Sequence, residues 1–515
     1  MPSRIVLFAI LLTCHSAGGD VLRRGLGPEP DSLHIHRAQG LSAIQLLREI
    51  REGLVSFDAH GEPAPGVAES WEVLEVGRLY RFRLRPDARW STGEPVLGDD
   101  FVRAWRAAVD PASVATTAGL LAPIAQATAI MAGHATPDAL GVTAPEPRVL
   151  EVRLERPAPW FPEVLAHPVT YPLHPARSDD PRHAAVNGAF VIEEMLPHAM
   201  IRLVPNAAFH AAVSLRLEAV EYLPIEDPAA ELSRFRAGEL DITETIPAGR
   251  YQWLRENLPA ELRVHPYLGS FWLGFNLGRT PFAANRALRE ALALAVDRET
   301  LVRVVTGAGE LPAWGVVPPG LDEYAAFSPA AAALTQQERE DRARALYAQA
   351  GYGPARPLSV QLRFNTSSQH RRMAVAVAAM WKQVLGVRTE LINEEWKVFV
   401  NNRRMGTQTQ VFRGGWIADY ADPTSFLDLF RSGDELNNTF YRNAEFDRLL
   451  QAAGTLAGGR RSAALQAAEQ SLMRDMPVIP LYYYVSRHLV KTGVTGFHDN
   501  VRDIHLSRYL GLGGG

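Results

Sequence analysis

Arg413-Gly414-Gly415-Trp416-Ile417-Ala418-Asp419-Tyr420 sets a base and an acid at the two ends of a short apolar run, with a large aromatic between them. Two adjacent glycines leave the backbone bare enough for another backbone to lie against it. An acid can hold an amine, a base can meet a carboxylate, and open N–H and C=O groups can pair with an extended chain. Together these features suit a short peptide. They also describe an ordinary strand leaving a core, with Asp419 in the turn before Pro423. The segment alone does not choose between the two, and the rest of the chain must.

The 515 residues are 47% hydrophobic and 21% charged, an ordinary globular composition with room for two to four domains. A formal net charge of −4 favours neither nucleic acid nor an anionic membrane surface. The only long apolar run, Ile5 to Leu12, follows Arg4 and leads through small and polar residues to Gly19. That is the pattern of a secretory signal over residues 1–19, and it is too short to span a bilayer. Cys14 is the only cysteine, so no intrachain disulfide can form. Leu11-Leu12-Thr13-Cys14 resembles a lipoprotein box, with Thr13 departing from the usual small residue. Lipidation at Cys14 and plain cleavage nearby both export the chain.

Tyr80, Phe82 and Leu84 alternate with Arg81, Arg83 and Arg85, which predicts a strand with one buried and one solvated face; Leu150 to Leu154 repeats the pattern. Asp99 or Asp100 is placed to cap a helix carrying Phe101, Trp105 and Val109, ended by Asp110-Pro111. Asn285 to Val305 divides into two helices at Asp297. Ser368 to Leu385 makes another, with Met373, Val377, Met380 and Trp381 on its core face. Strands and helices intermix throughout, so the fold class is α/β in more than one lobe. Breaks are expected near Glu62–Gly66, Pro172–Pro181 and Gly269–Gly278.

Catalytic signatures are missing from the sequence: there is no HExxH, no GxSxG and no Walker loop. His34-Ile35-His36 would put two rings on one strand face but lacks an evident third metal ligand. Thr306-Gly307-Ala308-Gly309 follows a helix, the reverse of a phosphate cradle. No cofactor, metal or catalytic residue is expected.

Several segments, in order, resemble the oligopeptide-binding proteins of bacterial ABC importers. They include Pro63-Ala64-Pro65-Gly66-Val67-Ala68-Glu69-Ser70-Trp71, the arginine-alternating strand through Trp90-Ser91, and Asn187-Gly188-Ala189-Phe190. Arg234-Phe235-Arg236-Ala237-Gly238-Glu239-Leu240-Asp241-Ile242, Ala293-Leu294-Ala295-Val296-Asp297-Arg298, Glu395-Trp396-Lys397-Val398-Phe399 and Pro477-Val478-Ile479-Pro480-Leu481-Tyr482-Tyr483-Tyr484 follow. The likeness is collinear from about Glu29 to Leu510.

The resemblance implies a two-lobed periplasmic-binding-protein fold with a hinge and an extra α/β domain in the N-terminal lobe. Lobe I would comprise 20–55, 187–270 and 488–515, the extra domain 56–186, and lobe II 271–487. It implies a non-enzymatic, monomeric periplasmic receptor for peptides of two to five residues. Its partners would be the peptide and ABC importer permease subunits, with no nucleic acid and no membrane contact beyond a lipid anchor. Asp419 falls where the family holds the ligand α-amine. The backbone of Arg413, Gly414, Gly415 and Trp416, continuing into Ile417, would pair with the peptide. Trp396 and Trp416 match aromatic pocket positions, and His370, Arg403 and Arg413 match bases that meet the ligand carboxylate.

Departures accompany the match. The family's base beyond Val305 is replaced by Thr306 or Gly307. Ser270–Phe275 lacks a tyrosine and a pocket acid, Ala115-Thr116-Thr117 lacks an aromatic, and Ala38–Leu41 lacks an acid. Cell-wall peptides or another solute are therefore an alternative cargo, and a secreted peptidase or hydrolase is the alternative of another class.

Overall fold

The computed structural model describes residues 20–513 except 39, 114, 177–180, 248 and 435. Residues 1–19, where the signal and the lipidation at Cys14 are expected, lie outside the described residues.

The region around Phe82 carries a four-stranded sheet in the order Ala68–Leu74, Leu79–Leu84, Val149–Arg153, Val142–Glu146. The alternation predicted from sequence is realised: Tyr80, Phe82 and Leu84 are buried, as are Leu150 and Val152 on the neighbouring strand. Arg81 on the other face lies opposite Glu151 and donates to it from Nε at 2.8 Å. The helix Gly98–Val109 packs beneath, burying Phe101, Trp105 and Val109. Its cap differs from expectation. Leu97 is the N-cap residue, and Asp100, at the third helical position, reaches back to accept from the Leu97 N–H at 3.0 Å. The same carboxylate takes Trp90 Nε1 at 3.1 Å, so the acid serves the core as well as the helix end.

A second four-stranded sheet, Val21–Gly27, Ala219–Pro224, Met200–Pro205, Phe190–Leu196, packs against the helix Leu41–Ile50. His34-Ile35-His36 forms a turn and not a strand. The Ala38 N–H donates to the His34 carbonyl at 3.1 Å, and the two rings meet edge-on 5.3 Å apart.

The third unit holds a six-stranded sheet in the order Leu311–Pro312, Val478–Leu489, Leu262–Phe275, Val411–Ile417, Ser359–Asn365, Arg388–Glu394. Asn285 and Asp297 cap two successive helical segments, accepting from Leu288 N at 3.1 Å and Thr300 N at 3.0 Å. The second widens into a π-helical turn over Leu301–Thr306. The helix Ser368–Leu385 forms as predicted, with Ser367 at its N-cap and Met373, Val377 and Trp381 buried; Met380 is half-buried.

Two long strands join the units. Leu262–Pro266 pairs with Val485–Leu489 and Ser270–Gly274 with Val478–Tyr483, with a register break between. One end packs with Leu223, Phe235, Leu240 and Leu254 through Leu489. The other enters the core around Phe271, Leu273, Phe275, Ile479 and Leu481. Each unit has its own apolar core, and these two paired strands run from one into the other.

Candidate functional site

The strand Val411–Ile417 begins inside the six-stranded sheet and ends outside it. Along one side it pairs antiparallel with Leu262–Phe275 for its whole length, from Phe275↔Val411 to Gly269↔Ile417. Along the other it pairs with Ser359–Asn365 only at Val411 and Phe412. From Arg413 onward that edge has no strand partner among the described residues, so the backbone donors and acceptors along it are left unpaired by any strand.

Gly414 has a reason that its sequence context does not show. It lies opposite Trp272 in the ladder, and a Cβ at 414 would overlap the indole Nε1. The glycine therefore makes room for a neighbouring side chain. At Gly415 a Cβ would stand 3.2 Å from the Ser270 carbonyl oxygen, a tight but lesser conflict.

Past the strand, the Asp419 N–H donates to Ser425 Oγ at 3.2 Å, and Trp416 Nε1 reaches the same hydroxyl at 3.4 Å. This holds the turn that presents the Asp419 carboxylate. Ile417 and Asp419 line an inter-lobe cavity of about 370 Å³, with Arg24, Arg48, Tyr267 and His488 also in its wall. Asp419 is exposed to the cavity, and partial desolvation by the surrounding walls pushes its pKa up to about 6. Among the described residues no cation lies within salt-bridge distance of it. The far side of the cavity clasps the same turn: Tyr420 stacks on Trp160 at 5.7 Å, and the Ala421 N–H donates to Glu163 Oε2 at 2.7 Å. Arg502 fixes Glu163 at 2.8 Å.

At the other end of the bare edge the structure gathers the three predicted bases. The Arg413 guanidinium stands 5.4 Å from the Phe271 ring centroid, and the His370 ring 5.6 Å from it. Burial first, and the Arg413 charge second, lower His370 to about 4 and Arg403 to about 10. Nε of Arg403, Nε of Arg413 and Nδ1 of His370 are buried without a hydrogen-bond partner. None of the three forms a salt bridge among the described residues. Such a group lowers its energy by accepting an anion.

Trp416 and Arg403 share a small cavity of about 50 Å³ with Trp272, Gly414 and Gly415. Trp396 is not drawn into it. It begins the helix Trp396–Met405 at 50% exposure, with its ring 6.1 Å from Phe399.

The sequence did not single out several residues of the cavity wall. Arg48 lies 5.3 Å from the Phe57 ring and has no carboxylate within salt-bridge distance among the described residues. His488, Asp503 and His505 form a hydrogen-bonded cluster, with Nε2 of each histidine on Asp503 Oδ1 at 2.7 and 3.1 Å. Glu244, beside them, is pushed up to about 8, chiefly by burial. Arg48, Glu244 and the 488–505 segment are distant from one another in the chain, and no spacing rule links them.

This fold and cleft define a two-lobed solute-binding protein. The family model "Bacterial extracellular solute-binding proteins, family 5 Middle" matches residues 62–438, and the chain belongs to that family. It is 37% identical over 502 residues to the periplasmic murein peptide-binding protein MppA of Escherichia coli K12, covering 95% of this chain and 92% of that protein. It is 36% identical over 487 residues to the periplasmic oligopeptide-binding protein OppA of the same organism, covering 92% and 89%. The unliganded open form of MppA superposes with a TM-score of 0.86 at 35% identity, covering 96% of this chain and 98% of that structure.

Proposed function

We propose that this protein is an exported receptor that captures a short peptide between its lobes and delivers it to the permease of an ABC importer. One observation carries the reading: the bare edge at 413–417 runs from a cluster of bases with no carboxylate partner among the described residues to an acid with no cationic one. The peptide α-amine would meet Asp419, and its carboxylate would meet Arg413, Arg403 or His370 according to length. This orients the peptide antiparallel to the strand, as an added strand with backbone hydrogen bonds. The six residue steps from Arg413 to Asp419 span about 20 Å at strand rise. With both side chains reaching inward, that suits peptides of two to five residues.

Trp416, with Trp272, would line a side-chain pocket, and the half-exposed Trp396 would cover cargo on closure. Lobe I, at 20–55, 187–270 and 488–515, would move against 271–487 about the paired strands, with 56–186 as the extra domain. The periplasm is the compartment that fits the family. No helix among the described residues is long and apolar enough to cross a membrane. A lipid on Cys14 would tether an otherwise monomeric receptor. Binding without turnover is the expected activity, and a peptide recovered intact after saturation supports it against a hydrolase.

The second reading keeps the site and changes the cargo to a cell-wall peptide. Similarity to the murein peptide-binding protein favours it, as does Arg48, which offers a further cation to a cargo with more than one carboxylate. Mass spectrometry of the molecules released on denaturing the purified protein decides between the two. A mixture of ordinary short peptides supports the first, a cell-wall fragment the second, and a cargo that is not a peptide overturns both.

A further inference from the structure

His488 stands at the end of the strand Val478–Leu489, and Asp503 and His505 lie in the C-terminal loop; all three line the inter-lobe cavity. Their ligand atoms lie within 4.8 Å of one another. The hydrogen bonding of His488 is revealing. Nδ1 lies 2.9 Å from the Thr243 carbonyl oxygen, which can only accept, so Nδ1 carries the hydrogen. In a neutral ring, Nε2 is then a lone pair aimed at Asp503 Oδ1, 2.7 Å away. Two electron-rich atoms at that distance need a positive species, either a proton or a metal ion. A backbone carbonyl on the remote nitrogen is also the usual orienting partner of a metal-bound imidazole.

The cluster is held in place. His505 stacks on Phe497 with centroids 3.9 Å apart, which fixes its ring plane. Asp503 adopts a left-handed φ of 55°, stabilised by its N–H on the Asn500 carbonyl at 3.2 Å. Asn500 Oδ1 accepts from the Ile504 N–H at 3.2 Å and locks the same loop. The nearby cation Arg24 is balanced by Glu49 at 3.5 Å, and Glu244 adds a carboxyl group to the same wall. Zinc takes nitrogen and oxygen ligands at about 2.0–2.2 Å, which puts tetrahedral neighbours roughly 3.3–3.5 Å apart. From the present spacings of 2.7 and 3.1 Å the ligands must spread by about 0.2–0.8 Å to reach those values.

We propose that His488, Asp503 and His505 form a binding site for a divalent first-row transition-metal ion of zinc type, with a coordination position open to the inter-lobe cavity. Two imidazoles and one carboxylate are the ligand set of an open zinc site. The site shares the cavity with Asp419 but none of its three ligands is a residue of the peptide reading, so it stands or falls independently of that reading.

The test uses the metal-free, untagged protein titrated with Co²⁺ and followed by visible absorption, then with Zn²⁺ in competition. One Co²⁺ per chain should bind with the intense bands of a tetrahedral site and be displaced by Zn²⁺. His505→Ala and Asp503→Asn should each weaken Co²⁺ by about 100-fold or more, since loss of an orienting partner alone costs about 10- to 100-fold. Circular dichroism checks that the variants are folded. If they are not, ¹⁵N-histidine spectra of the unsubstituted protein serve instead, and Zn²⁺ should shift two Nε2 resonances. Absence of saturable 1:1 binding, binding undiminished in both folded variants, or unshifted Nε2 resonances would each overturn the site.

Discussion

Gly414 and Trp272 face each other across an antiparallel ladder, and the glycine's missing Cβ is the space that the indole Nε1 occupies. Trp272 is buried among Leu268, Val316, Phe426 and Phe430, so the ring cannot swing away freely. Gly414→Ala is expected to destabilise the protein by about 1–3 kcal/mol, the usual cost of overpacking. Trp272→Leu in the same chain should recover part of that loss, a non-additivity seen only between contacting residues. Urea unfolding midpoints of the two single variants and the double variant measure it. Equal and additive losses would show that the contact is unimportant.

Asp419→Ala should weaken a free short peptide by roughly 100-fold or more in calorimetry, as for an amine buried without its partner. Acetylating the ligand's N-terminus should cost a similar amount, and the two losses should not add. An acetylated peptide that binds as well as the free one would remove Asp419 from the amine site.

The raised carboxyl pKa at Asp419 gives this binding a pH dependence. The acid must be ionised to meet an ammonium group, and in the unliganded protein it ionises near 6. Affinity should be flat above about pH 6, up to the pH at which the peptide amine itself deprotonates. Below 6 it should fall by about tenfold per pH unit, one proton being taken up per peptide released. Asp419→Asn should bind weakly and lose that slope.

The basic cluster makes a separate prediction. Burial is the larger cause holding His370 down to about 4, and Arg413 is the second. In Arg413→Gln, NMR titration should move His370 upward from about 4 while leaving it below the ordinary 6.5. The lowered folded pKa also means that stability falls as pH drops from 6.5 towards 4, where the unfolded chain takes the proton first. The variant should narrow that window. It should also bind a peptide of matching length more weakly, and C-terminal amidation of that peptide should add little further loss. Full additivity would place the carboxylate elsewhere.

Much of the architecture was legible because its causes are local. The two-residue alternation of Tyr80, Phe82 and Leu84, the four-residue spacing of Met373, Val377 and Trp381, and the caps at Asn285 and Asp297 each involve neighbours along the chain. The helix start at Leu97 escapes a local reading because Asp100 caps backwards from the third position while also holding Trp90, a core contact that no local pattern shows. His34 to His36 alternate like a strand, but with no sheet partner the segment closes on itself through the His34 carbonyl.

The sequence by itself determined the ends of the candidate site: an acid at 419, a base at 413, and glycines between them. Only the tertiary structure decided what those residues face. Whether 413–417 is an interior strand or a bare edge depends on where Ser359–Asn365 stops pairing, and that is set by packing between segments fifty residues apart. The same holds for Arg413 and His370 meeting across Phe271, for Trp396 standing half exposed, and for His488 and His505 converging on one oxygen of Asp503. Side-chain chemistry is carried residue by residue, but burial, strand partnership and the distance between charges are properties of the folded chain.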